Sequence, residues 1–232
     1  IRRQRQMCIR DSIYTTEEKA LYCEELGVDI LLEYPFTREF AAMSPEDFVS
    51  HCLVQQLGVK AVYVGADFHF GKGRSGNVAL LQALGEEYGF TVHAVQKKTL
   101  HGKVVSSTTI RDMLESHFHI ANEMLGNPYF VYGEVVHGQH LGHTIGFPTI
   151  NQRVPGQKLV PANGVYASRV EIDGVTYRGI SNLGKKPTVD GIHQVGLETY
   201  LLDYSGNLYG KKLKTQLLYF IRPEEKFANV EA

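Results

Sequence analysis

Val165-Tyr-Ala-Ser-Arg-Val-Glu-Ile-Asp-Gly-Val-Thr-Tyr-Arg-Gly-Ile-Ser181 decides the fold of the C-terminal half. Two runs of strand-forming residues, Val165 to Ile172 and Val175 to Ser181, flank Asp173-Gly174, a two-residue connection of the type that needs positive φ and closes a β-hairpin. Further strand-like runs lie at Phe130 to Val136, Val195 to Leu202 and Leu213 to Ile221, mostly separated by glycine-bearing turns, and Ser205-Gly206 marks another reversal. The spacing predicts an all-β half, with a small closed antiparallel barrel as its architecture.

Upstream the pattern changes. Thr15 and Glu18 stand at capping-box spacing before Ala20, Leu21 and Leu26, and Gly27 offers a left-handed stop, which predicts a helix. Val28 to Leu32 reads as a short apolar strand, and Ser44-Pro45-Glu46-Asp47 opens a second helix with Phe48, Cys52, Leu53 and Leu57 on one face. Lys60 to Gly65 reads as a buried strand, Asn77 to Tyr88 as a helix, Phe90 to Val95 as a strand and Thr109 to Leu125 as helical. Such alternation predicts an α/β, Rossmann-like part with a parallel, doubly wound sheet. Gly126-Asn127-Pro128 ends it, so the expected organisation is an α/β domain over 13–126 followed by the all-β domain over 127–232. Residues 1–12, rich in Arg and Gln without periodicity, read as a non-native leader.

Composition narrows the function. The 232 residues carry a formal net charge of −1 with interspersed signs, which provides no long-range field for nucleic acid or an anionic membrane. Three cysteines without CxxC spacing support neither a disulfide framework nor a zinc knuckle. No apolar run approaches the roughly 20 residues that cross a bilayer. The expectation is a cytoplasmic protein that works on small molecules, with homo-oligomerisation left open.

The stretch Gly133 to Asn151 carries the chemistry. Gly133, Gly138, Gly142 and Gly146 let backbone amides turn toward phosphate oxygens. Thr149 and Asn151 stand two apart, so on an extended segment their oxygens share one side and suit Mg²⁺ and phosphate, with Pro148 fixing the approach. A glycine-rich loop before an ordinary edge strand fits the same spacing. Glu198 is an acid within the apolar run Val195 to Leu202. It reads either as a base for an alcohol proton or, by strict alternation, as a solvent-facing residue beside Tyr200. Val105 to Arg111 gathers hydroxyls at a helix start, which suits a triphosphate or a simple cap from Thr109 and Asp112. His137, His140 and His143 lack a cysteine or acidic fourth ligand for zinc, and Gly65 to Lys72 misses P-loop spacing by one.

Together Gly133-Glu-Val-Val-His-Gly138, Gly146-Phe-Pro-Thr-Ile-Asn151, Asn163 to Tyr166, Ser181 to Thr188, the Glu198 run, Leu208 to Gly210 and Ile221 to Phe227 resemble riboflavin kinases, in the bacterial form fused behind an FMN adenylyltransferase. The resemblance implies that Thr149 and Asn151 hold Mg²⁺ and ATP phosphates and that Gly138 and His143 lie in a loop over the nucleotide. It further implies that Glu198 deprotonates the terminal ribityl hydroxyl and that Arg222 lies near the flavin. Val64 to Gly71, with Ser44 to Phe48 before it and Ser106 to Arg111 after it, is similar to the adenylyltransferase module of bacterial FAD synthetases. That likeness implies Asp67 and Phe70 by the nucleotide and flavin, and Ser107 and Arg111 by the phosphates. The family's first strand and its glycine- and histidine-bearing loop have no counterpart before Ile13, and the family continues past the kinase barrel with a helix. The expected activity is therefore ATP-dependent phosphorylation of riboflavin to FMN, with the FMN-to-FAD site incomplete. A non-catalytic flavin- or nucleotide-binding remnant is the alternative.

Overall fold

The structure is a computed structural model, and it describes residues 12–137, 149–187 and 193–225. The chain divides into two compact units, Ile1–Leu31 with Ser106–Ala232, and Leu32–Val105. Helix α1 (Thr16–Glu25) begins on the predicted capping box: Thr15 Oγ1 accepts from the Glu18 amide and the Glu18 carboxylate accepts from the Thr15 amide. The apolar run Val28 to Leu32 forms no strand, contrary to expectation, because no described strand pairs with it, and Ile30 is 83% exposed. Four apolar residues and Asp29 fit a strand only if a ladder partner takes up their backbone groups.

In the unit Leu32–Val105, Ser44 caps a helical turn, Pro45–Asp47, that runs on as a π-helix over Phe48–Gln56. Strands β1 (Ala61–Gly65) and β2 (Thr91–Val95) pair in parallel, with α2 (Val78–Tyr88) connecting them. Asn77 caps α2 through the Leu80 amide, and Gly89 ends it at φ 80°. The core holds Val49, Phe70, Leu81, Leu84 and Phe90. β1 was expected to be buried, but only one of its faces packs on this core, and Tyr63 on the other is 70% exposed.

The helical stretch expected over Thr109 to Leu125 is two helices, α3 (Ser107–Ser116) and α4 (Phe118–Leu125), broken at His117, whose φ and ψ are non-helical. The N-cap of α3 is Ser106, whose hydroxyl accepts from the Thr109 amide, so the Thr109–Asp112 capping box does not form. Asn122 of α4 donates to the Leu217 and Leu218 carbonyls and accepts from the Tyr129 amide, which fixes the helix to the strands that follow.

Those strands are β3 (Phe130–Val136), β4 (Thr149–Arg153), β5 (Gly164–Ile172), β6 (Val175–Pro187), β7 (His193–Leu201) and β8 (Lys212–Arg222). They close an antiparallel barrel in the order β6-β7-β4-β3-β8-β5. The predicted hairpin turn joins β5 to β6, with Asp173 at φ 50° and Gly174 at 81°. Val135, Ile150, Val170, Ile172, Leu201, Leu208 and Leu213 form one apolar cluster of the barrel. The interior is also polar: Ser181 Oγ lies 2.8 Å from Ser168 Oγ and 2.7 Å from Thr199 Oγ1, linking β5, β6 and β7.

Candidate active site

Alternation sorts the side chains of β4 and β7. Ile150, Gln152, Leu197 and Thr199 are buried in the barrel, and alternation puts Thr149, Asn151, Glu198 and Tyr200 on the opposite, outer face, where Asn151 is itself buried. The register brings the outward set together, since Glu198 is the cross-strand partner of Asn151 and Tyr200 that of Thr149. The Thr149 hydroxyl donates to Glu198 Oε1 at 2.7 Å. Tyr200 and Glu198 do share the outer face, as strict alternation requires, and that face is where the Thr149 and Asn151 oxygens stand. The two sequence readings of Glu198 thus describe one position.

The strand carrying these groups is held from inside. Gln152 Nε2 donates to the Gly133 carbonyl at 2.9 Å and to the Leu213 carbonyl at 2.8 Å, and its Oε1 accepts from Thr215 Oγ1 at 2.6 Å. Gln152 is 2% exposed, so all three bonds are made away from water and pin β4 to β3 and β8. Sequence reading passed over Gln152 because a glutamine in a strand gives no sign of which carbonyls it will meet.

The same register extends in both directions. Reading outward from Asn151, the paired residues are Glu198, Asn182, Val165 and Arg222, and on the other side Val136. One row across the barrel therefore joins Asn151, Glu198 and Arg222, three residues singled out from separate stretches of sequence. Arg222 donates to the Pro223 carbonyl at 3.1 Å and lies 3.4 Å from Glu225 Oε2.

Beside Thr149 opens a cavity of about 360 Å³ lined by Val135, Ile150, Leu201, Tyr204, Leu208 and Tyr209 among others. The His137 ring stacks on Tyr209, one of the lining residues, with centroids 3.9 Å apart. A mostly apolar cleft next to aligned oxygens suits a ligand with a flat ring and a phosphate chain. Gly138, His140 and His143 lie outside the described residues. Among the described residues no group of three His, Cys, Asp or Glu gathers as a metal site.

The other predicted residues divide between the units. In Leu32–Val105, Asp67 is an exposed carboxylate bonded to Lys97 Nζ at 2.6 Å, and that ammonium holds it below the usual carboxylate range. Phe70 is 7% exposed and packs in the core against Phe48 and Phe68. In the barrel-containing unit, Ser107 is the first residue of α3 and Arg111 lies one turn further along.

The family model for riboflavin kinase matches residues 125–232, and that for FAD synthetase matches residues 3–109. The bifunctional riboflavin kinase/FMN adenylyltransferase of Haemophilus influenzae is 39% identical over 229 residues, 98% of this chain and 71% of that protein. The protein of the same name from Escherichia coli K12 is 44% identical over 219 residues, 92% of this chain and 68% of that one. The Bacillus subtilis protein of that name is 35% identical over 226 residues, covering 96% and 71%. Among solved structures, the crystal structure of a macrolide-efflux protein from Streptococcus pneumoniae matches with a TM-score of 0.80 at 29% identity, over 94% of this chain and 70% of that one. Among the described residues of this chain, no helix is long and apolar enough to cross a membrane.

Proposed function

Since the chain belongs to the bifunctional riboflavin kinase/FMN adenylyltransferase family, we propose that its barrel domain, 127–232, transfers the γ-phosphoryl group of ATP to riboflavin and that 13–126 belongs to the FMN adenylyltransferase part. One observation supports the kinase reading most directly: Thr149, Asn151 and Glu198 share the outer face of two adjacent strands, with Thr149 bonded to Glu198 at 2.7 Å.

On this reading Glu198 accepts the proton of the terminal ribityl hydroxyl as its oxygen bonds to the γ-phosphorus. The bond from that phosphorus to the bridging oxygen breaks, and ADP departs with the negative charge. Thr149, with its hydroxyl on Glu198, aligns the carboxylate with the attacking oxygen. Thr149 and Asn151 offer the neutral hard oxygens that Mg²⁺ accepts alongside phosphate oxygens and water, so these residues fit that ion. When bound, Mg²⁺ neutralises charge on the β- and γ-phosphates. The cavity lined by Leu208 and Tyr209 takes the nucleotide base, Gly138 and His143 serve the nucleotide, and Arg222 serves the flavin at its end of the row. For the second reaction, Asp67 and Phe70 serve the nucleotide and flavin, and Ser107 and Arg111 the phosphates. The site of action is the cytoplasm, where ATP and riboflavin meet.

The test is to incubate the purified chain with riboflavin, ATP and Mg²⁺ and separate the flavins by chromatography. FMN is the expected product, and FAD beside it would extend the activity to the second step. A folded chain that binds ATP or flavin and forms neither product would overturn the catalytic reading in favour of a binding protein.

A further inference from the structure

The row that joins Glu198 to Arg222 passes over two residues, Asn182 on β6 and Val165 on β5, and only Asn182 has a polar side chain. Leu183, its neighbour on the strand, is buried in the barrel, so Asn182 faces outward with Glu198. An alcohol with its reacting end at Glu198 and its ring toward Arg222 has to lie across this position.

The amide of Asn182 is already oriented. Its Nδ2 donates to Glu224 Oε1 at 3.1 Å, and a carboxylate only accepts, so the NH₂ end is committed to Glu224 and the oxygen points the other way. Glu224 is itself seated closely: its carboxylate occupies the space in which a side chain at Gly184 would begin, two residues along the same face of β6. The Asn182 oxygen is buried and has no hydrogen-bond partner among the described residues. A buried acceptor left unpaired is costly, and an arriving donor recovers that cost.

We propose that Asn182 is a positioning residue for the alcohol substrate, its amide oxygen accepting a hydrogen bond from a secondary hydroxyl of the polyol chain whose terminal hydroxyl Glu198 deprotonates. The inference rests on the kinase reading above and goes beyond it, because it assigns recognition of the chain's inner hydroxyls to one side chain. The substrate class selected is a flavin carrying a polyhydroxylated chain, as against one carrying a plain ω-hydroxyalkyl chain of the same length. Glu224 acts through Asn182 by fixing which end of the amide meets the substrate.

The experiment compares kcat and KM on riboflavin and on that ω-hydroxyalkyl flavin for the wild-type chain, Asn182→Ala, Glu224→Ala and Glu224→Gln. In Asn182→Ala, kcat/KM on riboflavin is expected to fall about tenfold, the equivalent of one hydrogen bond, while the value on the analogue changes by less than about twofold. Glu224→Ala should lose part of the same preference, and Glu224→Gln, which keeps an acceptor for the amide, should restore it. Equal losses on both flavins, or no loss on either, would overturn the assignment. Should Asn182→Ala fail to fold, the Glu224 pair carries the test, and an unchanged preference in Glu224→Ala sinks the proposal. A wild-type chain that folds but phosphorylates neither flavin refutes the kinase reading itself and is a separate outcome.

Discussion

Glu18 on α1 and Lys158 between β4 and β5, 140 residues apart, meet as an ion pair of 2.6 Å with both side chains fully buried. Lys158 Nζ also donates to the Ile13 carbonyl and stands 4.4 Å from the centre of the Tyr129 ring, while Glu18 accepts from the Thr15 and Tyr132 amides. The pair fastens α1 to the barrel. Replacing Lys158 by Met leaves a buried carboxylate without its cation, and the loss expected by urea denaturation is about 3–5 kcal/mol. The double variant Lys158→Met with Glu18→Gln should recover a large part of it, since no charge is then buried. A single variant within about 1 kcal/mol of wild type would contradict this account.

The same lysine gives the stability a pH dependence. Burial pushes the Lys158 ammonium down from 10.5 to about 8, against the pull of Glu18 in the other direction. Between those values the unfolded chain binds more protons than the native one, so this group makes stability rise with pH from about 8 toward 10.5. The difference in unfolding free energy between wild type and Lys158→Met should accordingly be larger at about pH 9 than at pH 7. Burial of Tyr14 and Tyr129 raises both phenols, which has the opposite effect at higher pH, so the comparison belongs below the tyrosine range of roughly pH 10. A difference that shrinks over this interval would show that the ammonium is not held down.

Glu198→Gln removes the carboxylate proposed as the proton acceptor while keeping the side chain's size and an oxygen for the Thr149 hydroxyl. Turnover of riboflavin should drop by about 10²–10⁴ with ATP affinity retained. Steady-state kinetics together with calorimetric titration of ATP distinguish the two, and an unchanged kcat would remove Glu198 from the base role.

Gly164 has φ 153°, and a Cβ there would run into the Arg222 carbonyl and the Phe220 ring. Gly164→Ala must therefore push the end of β8 outward or distort the start of β5. We expect a loss of about 1–3 kcal/mol in stability. Under the proposed role of Arg222 beside the flavin, KM for riboflavin should rise more than KM for ATP. Equal changes in the two KM values would disconnect Arg222 from the flavin.

What could be read from sequence followed the range of the forces involved. The Thr15–Glu18 capping box and the Asp173-Gly174 turn act within a few residues, and both are found as expected. Val28 to Leu32 failed as a strand because an apolar run does not specify a ladder partner. The break at His117 was missed because Ile110, Met113 and Leu114 bury one face of α3 and Phe118, Ala121 and Met124 bury one of α4, so the apolar pattern continues across it. Thr149, Asn151 and Glu198 stood out as residues of the right type in strands. Their meeting depended on a register that only barrel closure defines. Gln152 remained invisible for that reason, Asn182 stood in the Ser181 to Thr188 stretch without a role of its own, and Glu18 gave no sign of Lys158: each has partners or neighbours far away in the chain.

Because the row is a ladder of paired residues, its length is quantised. Asn151 and Arg222 are separated by four steps between strands, about 19 Å along the barrel surface before curvature shortens it. No side-chain substitution alters that count, since it is fixed by how many strands lie between the two ends. On the proposed kinase reading, this fixed count sets the span that the acceptor has to cover. On that reading, a flavin analogue with a chain one or two carbons shorter reaches one end of the row and falls short of engaging both.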